Sequence, residues 1–159
     1  MEQEKDERYR YLLRLGNIHY IEAETYTIYV ELPQIPDIMI IYRRPSERTT
    51  NAEKIQLDNR ALKHIPLLEG EEGIKFLHLQ NNSIQKIENL VSLPNLHFLD
   101  LSNNKLTDIS NIQGVLQLKV LILSKNLISN IPKNNFDSFK QLDVLDLHDN
   151  RLSGKLDFS

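Results

Sequence analysis

The residues of this chain with the most chemical potential are His78, Asp100 and Ser102. A carboxylate that orients an imidazole beside a hydroxyl is the minimal set for nucleophilic catalysis, with aspartate as orienter, histidine as base and serine as nucleophile. His78 and Asp100 stand 22 residues apart, so they meet only if the chain folds with that period. The same folding would bring His148 into view as a third ligand for a metal held by His78 and Asp100. The surroundings do not favour either chemistry. No glycine-rich oxyanion or phosphate-binding loop accompanies these residues, and a regular registry by itself creates such neighbours. Cysteine is absent, which removes disulfides, thiolate zinc sites and a thiol nucleophile together. The sequence therefore predicts no catalytic residue, no cofactor and no metal site.

Bulk properties narrow the partners. The 159 residues carry a formal net charge of -3, with 19 basic side chains dispersed among 22 acidic ones. Such a balance creates no broad positive field for a phosphate backbone or an anionic lipid surface, so neither nucleic acid nor membrane is expected as a partner. Met1 to Arg10 is dense in charge and lacks the apolar core of a secretory signal, and no apolar run is long enough to span a bilayer. With no cysteine, these features lead to the expectation of a reducing, cytoplasmic compartment.

The element that could position these residues is a repeat. Five stretches align without gaps: 52–65 (AEKIQLDNRALKHI), 74–87 (IKFLHLQNNSIQKI), 96–109 (LHFLDLSNNKLTDI), 118–131 (LKVLILSKNLISNI) and from Leu142 onward (LDVLDLHDNRLSGK). All follow LxxLxLxxNxLxxI, the leucine-rich-repeat signature. Its ninth position is Arg60, Asn82, Asn104, Asn126 and Asn150, giving steps of 22, 22, 22 and 24 residues. The expected fold is an α/β leucine-rich-repeat solenoid with short parallel strands on its concave face. Leucines at positions four and six lie two apart on a strand and share the inward face. The ninth-position amide, turned inward, can donate and accept toward its own and the adjacent coil. Arg60 in that position, with Ala52 at position one, marks the first repeat as atypical.

Odd strand positions then face outward. The third position reads Lys54, Phe76, Phe98, Val120, Val144, the fifth Gln56, His78, Asp100, Ile122, Asp146, and the seventh Asp58, Gln80, Ser102, Ser124, His148. Strands about 4.8 Å apart make the third row an apolar ladder on an exposed face. The predicted protein-binding residues are Phe76, His78, Phe98, Asp100, Val120, Ile122, Val144 and Asp146, an apolar stripe with a polar border. His64 and His97 fall at ordinary solvent-facing positions, and the acidic run Glu69-Gly70-Glu71-Glu72 reads as a turn on a solvated convex surface.

Residues 1–50 do not fit the repeat and are read as an extension or cap, with the array over 51–159. Glu2 to Leu15 reads as a charged helix stopped by Gly16. Tyr26 to Glu31 and Ile38 to Tyr42 read as two strands confined to an edge by Pro33 and Pro36, placed to cover the first repeat. The fifth repeat stops short, with Lys155 where an aliphatic is due, so the chain is expected to be part of a longer array.

The 22-residue units, such as Ile87-Glu88-Asn89-Leu90-Val91-Ser92-Leu93-Pro94, resemble the short repeats of a leucine-rich-repeat regulator of serine/threonine protein phosphatases. That resemblance implies a phosphatase catalytic subunit on the concave face. A second likeness runs through Ile41-Tyr42-Arg43-Arg44-Pro45, Asn51, Leu57-Asp58-Asn59-Arg60 and Glu69-Gly70-Glu71. It is similar to the segment that opens the array in the leucine-rich-repeat subunits of neuronal tubulin polyglutamylase complexes. This implies a non-catalytic scaffold that accompanies a tubulin-ligase-like enzyme or tubulin, located at microtubules, cilia or centriolar satellites.

Overall fold

The computed structural model describes Glu7, Arg10 and residues 18–22, 27–31, 38–132 and 136–153. Two sheets organise them. The N-terminal sheet holds β1 (Ile18–Glu22), β2 (Thr27–Glu31), β3 (Met39–Tyr42) and β5 (Leu67–Leu68) in the order β1-β2-β3-β5. The second sheet is parallel throughout: β4 (Lys54–Gln56), β6 (Phe76–His78), β7 (Phe98–Asp100), β8 (Val120–Ile122) and β9 (Val144–Asp146). One short helix, α1 (Pro45–Thr50), joins the two, with proline in its first turn where no amide is lost.

Each strand of the parallel sheet is three residues long because the chain must leave the sheet again after one inward leucine. The middle residues Ile55, Leu77, Leu99 and Leu121 are buried, as are Leu57, Leu79, Leu101 and Leu123 two places on. The chain then bends through a left-handed residue at position eight, namely Asn59, Asn81, Asn103, Lys125 and Asp149, all with φ of 52–59°. Asparagine tolerates this region better than most residues, which accounts for the first three. Among the described residues the convex return is built from turns and one 3-10 segment, Ile112–Val115, which lowers Ile112 and Val115 into the core. In the longer fourth unit Phe136 and Phe139 fill the wider arc, their rings 5.8 Å apart.

Bends leave main-chain groups without partners, and the ninth-position asparagines take them up. The Asn104 Nδ2 group donates to the carbonyls of Leu79 (3.0 Å), Leu101 (3.0 Å) and Ser102 (3.2 Å), while its Oδ1 accepts from Ile84 N (3.0 Å). Asn82 repeats the pattern one coil before, and Asn126 and Asn150 one and two coils after. Two further amide positions, unnoticed in the sequence pattern, do the same on the convex side. Asn89 and Asn111 donate to Ile65 O (2.8 Å) and Ile87 O (3.3 Å), and Asn95 and Gln117 donate to Glu72 O (2.7 Å) and Leu93 O (3.0 Å). The second and third coils are thus each hooked to the preceding one by side-chain amides at three points of the circumference, and the fourth and fifth by Asn126 and Asn150.

The N-terminal sheet departs from the sequence expectation in three ways. β2 and β3 are interior strands, because Pro33 and Pro36 lie in the connection between them, outside the described residues, and cost neither ladder an amide. β1 was not anticipated, and it pairs antiparallel with β2. The helix expected over Glu2 to Leu15 lies outside the described residues except for Glu7 and Arg10, which are helical. Tyr29 and Ile41 join the same buried cluster as Ile55, Leu57 and Ile65, so this sheet and the first coil share one core.

Glu71 corrects the acidic-run reading in part: it is 4 % exposed rather than solvated, while Glu72 beside it is exposed as expected. Arg43 grips it with two bonds, Nε to Oε1 (2.9 Å) and NH2 to Oε2 (2.6 Å), and Arg48 Nε lies 3.3 Å from Oε1. Arg43 also donates to Asn51 O (3.0 Å), and Arg48 donates to Gly70 O (3.1 Å) and Glu69 O (2.6 Å) while its guanidinium lies 4.2 Å from the Tyr42 ring centre. Gly70, at φ +73°, allows this approach, since a Cβ there would stand 2.3 Å from Arg48 NH1.

Two expected outcomes follow. Asn104→Ala should cost about 1 to 3 kcal/mol in urea denaturation, because its backbone partners stay buried, whereas exposed Lys105→Ala should stay within about 0.5 kcal/mol. Glu71→Gln should cost about 3 to 5 kcal/mol by the same measurement, since it keeps the shape but leaves two buried guanidinium groups uncompensated.

Candidate protein-binding face

The parallel ladder sets the third-position residues in one row: Lys54 opposite Phe76, Phe76 opposite Phe98, Phe98 opposite Val120, Val120 opposite Val144. Strand alternation turns this row away from the leucine core. Phe76 is 40 % exposed and Val144 47 %, with Phe98 and Val120 half-buried between them. The fifth-position row, Gln56, His78, Asp100, Ile122 and Asp146, runs beside it in the same register.

Three rings form the densest part of the face. Phe76 and Phe98 have centroids 6.1 Å apart at 43°, and His78 packs on Phe98 at 5.0 Å and 38°. Tilted pairs at these separations are worth about 0.5 to 1.5 kcal/mol beyond their burial, so the rings hold one another in place while their outer surfaces stay open. Burial beneath this stack holds the His78 imidazole below its ordinary value of 6.5, and the Lys54 ammonium adds to the effect, while Asp100 and Asp58 oppose it.

The catalytic arrangement is not assembled. Asp100 Oδ1 accepts from Ser102 N (2.9 Å) and Ser102 Oγ (2.7 Å), so the serine proton is directed to the carboxylate. Among the described residues no hydrogen bond joins His78 to Asp100 or Ser102. The same local motif recurs at Asp108 with Ser110 and at Asp146 with His148, where His148 Nδ1 lies 2.6 Å from Asp146 Oδ1. These bonds hold both aspartates below the usual carboxylate value, through the Ser110 side chain first in one case and the His148 side chain first in the other. A motif that recurs at the ends of two strands and again on the convex turn at Asp108 is a local loop lock. His148 lies three strands from His78, roughly 14 Å at the usual spacing, and the described residues contain no group of three or more acidic or histidine side chains able to hold a metal.

His64, expected to face solvent, is half-buried with Nδ1 3.2 Å from Glu88 Oε1. Sequence reasoning also passed over Lys54 because it interrupts an apolar row. Its position one rung from Phe76, and its effect on His78, make it part of the face.

Residues 73–114 match the family described as leucine-rich repeats in two copies. Among solved structures, the leucine-rich repeat domain of APL1B is similar with a TM-score of 0.60 at 21% identity, over 68% of this chain and 34% of that one. The chain spans about a third of that domain, and no curated protein matches its sequence. The fold is a leucine-rich-repeat solenoid. No helix among the described residues is long and apolar enough to cross a membrane.

Because its folded pKa is lowered, neutral His78 is favoured in the native state and the unfolded chain binds more protons below pH 6.5. This contribution to stability is fully present above 6.5 and is lost as pH falls through that window. Lys54→Gln should move the His78 pKa upward, read from its imidazole proton shifts in an NMR titration; an unchanged or lower value would remove Lys54 as a cause.

Proposed function

We propose that this chain is a non-catalytic scaffold that holds another protein along the row Phe76, Phe98, Val120 and Val144, bordered by His78, Asp100, Ile122 and Asp146. The observation that carries this reading is an apolar row left exposed on a sheet whose opposite side is buried from β4 to β8. Large apolar side chains in register, rimmed by polar ones, have the anatomy of an interface core, and solenoids bind through this face.

As the partner, we propose a tubulin-modifying complex, either its ligase-like subunit or tubulin itself, at microtubules or cilia. Support comes from the likeness at Ile41 to Pro45, Asn51, Leu57 to Arg60 and Glu69 to Glu71. Several of these residues are physically joined: Arg43 binds both Glu71 and Asn51 O, and Arg48 binds Gly70 O. The likeness therefore speaks for a shared way of opening the array and bears on the partner only through that. The 22-residue spacing supports the alternative, a regulator of a serine/threonine phosphatase catalytic subunit.

Capture from a lysate of ciliated cells with the full chain decides between them, by recovery of tubulin-ligase-like enzyme or of phosphatase. Recovery of neither would remove both named partners. The double variant Phe76→Glu with Phe98→Glu should weaken that capture by about tenfold or more with an unchanged thermal melt. Undiminished capture would show that the partner does not use this row.

A further inference from the structure

The four rungs of the apolar row set a length that a partner's backbone must match. Strands about 4.8 Å apart place Phe76 and Val144 about 14 Å from one another, with Phe98 and Val120 between them. An extended segment laid across the strands turns every second side chain to the sheet, so its fourth contact falls about 20 Å from its first. It is out of step with the row by the third rung. A helix with apolar residues at i, i+3, i+7 and i+10 covers about 15 Å at 1.5 Å per residue and stays within about 1 Å of every rung. The ring centres of Phe76 and Phe98 stand 6.1 Å apart, near the pitch of one helical turn. Each strand is three residues long, about 10 Å, which is the breadth of a single helix.

The charges beside the row are not symmetrical. Asp100 on β7 and Asp146 on β9 flank it at the fifth position, with Ile122 between them. Each uses Oδ1 for its local lock, Asp100 with Ser102 and Asp146 with His148, and among the described residues Oδ2 of both accepts no hydrogen bond. Two strands apart, they are separated by about 9.6 Å along the array, against about 10.5 Å for residues seven apart on a helix. The other flank is balanced: Glu53 pairs with Lys75 at 2.7 Å, and Lys119 lies beside Asp143 on the next strand. At the β4 end of the row stands Lys54, exposed, with no ion pair or hydrogen bond among the described residues. Asp58 of that coil lies two positions beyond the strand and accepts from Asn59 Nδ2 at 2.9 Å. His78, its pKa lowered by burial, adds no charge at neutral pH. The face thus runs from a cation at β4 to a carboxylate at β9.

On the premise that this row is the contact surface, we propose that its occupant is one amphipathic helix of the partner protein, with apolar residues at i, i+3, i+7 and i+10 and basic side chains seven residues apart against Asp100 and Asp146. Its C-terminal end points to Lys54. Helices dock their apolar faces into grooves through anchors at such spacings. The helix dipole places partial negative charge at the C-terminus, beside Lys54, and partial positive charge at the N-terminus, beside Asp146. The reverse direction sets like against like at both ends. A second copy of this chain does not supply the helix from its described residues, since α1 has six residues and the 3-10 segment four, against roughly 11 for four contacts.

The test uses the full chain and a capped peptide of roughly 18 residues, with Leu at heptad positions a and d, Lys at e and g, and Ala and Gln elsewhere. One counterpart carries Glu in place of Lys, and another carries two central prolines that break the helix. On titration the Lys peptide should gain helical circular dichroism and shift the amides of Phe98, Val120 and Val144 in NMR spectra. The Glu peptide should bind about tenfold or more weakly, and the proline peptide should not bind. Asp146→Asn should weaken the Lys peptide by about threefold or more, and Asp100→Asn combined with it should weaken it further. A nitroxide at the peptide N-terminus should broaden Leu145 and Asp146, and one at its C-terminus should broaden Lys54 and Ile55. The proposal is overturned if no peptide binds, if the proline peptide binds as well as the Lys peptide, if Lys and Glu peptides bind equally, or if the nitroxide pattern is reversed. The same amide shifts on raising protein concentration alone would assign the row to a second copy and overturn it too. Capture that depends on Phe76 and Phe98 together with no gain of helix sinks the helix alone, whereas capture indifferent to both removes the row on which it rests.

Discussion

The structure depends on carboxamides that complete the hydrogen bonding of the coil before them. A chain that turns off a three-residue strand exposes carbonyls and amides at each bend, and in a tightly stacked array no water reaches them. Asn104 and Asn126, both nearly buried, each engage four main-chain groups across two coils. An aliphatic of equal size would fill the space and leave those groups unpaired, which explains why the position is polar in the middle of a leucine core. Once these bonds hold the coils at strand spacing, the inward leucines merge into one core and the outward residues fall into rows.

The first coil cannot use this device on its outer side, because no coil precedes it. Its ninth position is Arg60, exposed, whose amide accepts the help of Asn82 in the next coil rather than giving any. Closure comes from elsewhere: strands β2 and β3 cover the apolar end, and the buried Arg43, Arg48 and Glu71 cluster fastens them to the first turn. Closing the convex side this way, with β3 pairing to β5, leaves the concave edge at β4 uncovered.

The repeating part was legible in the sequence because its physics is periodic. The five-strand register, the inward leucines and the asparagine ladder all follow from a 22-residue step that any reader can lay out. What escaped was aperiodic or long-range. Glu71 looks like a surface acid because its partners, Arg43 and Arg48, lie 28 and 23 residues upstream. β1 lacked a clear pattern, and the prolines near β2 and β3 were read as marks of an edge although they fall between strands. Asn89, Asn95, Asn111 and Gln117 carry the same amide chemistry as Asn104, yet they sit in variable convex segments where nothing in the sequence marks them as inward-bonding. The His78, Asp100 and Ser102 neighbourhood was correctly placed by register, and its chemistry was decided by a bond that register does not specify, from Ser102 to Asp100.

The most direct measurement of the central claim is exchange of the side-chain carboxamide protons by NMR. If the amides hold the coils together, the Nδ2 protons of Asn104 and Asn126 exchange far more slowly than those of exposed Asn130, and their protection is lost only with the fold. Exchange of Asn104 and Asn126 at the rate of Asn130 in the folded chain would mean that the coils are stacked by apolar contact alone, and the account of the ladder would be wrong.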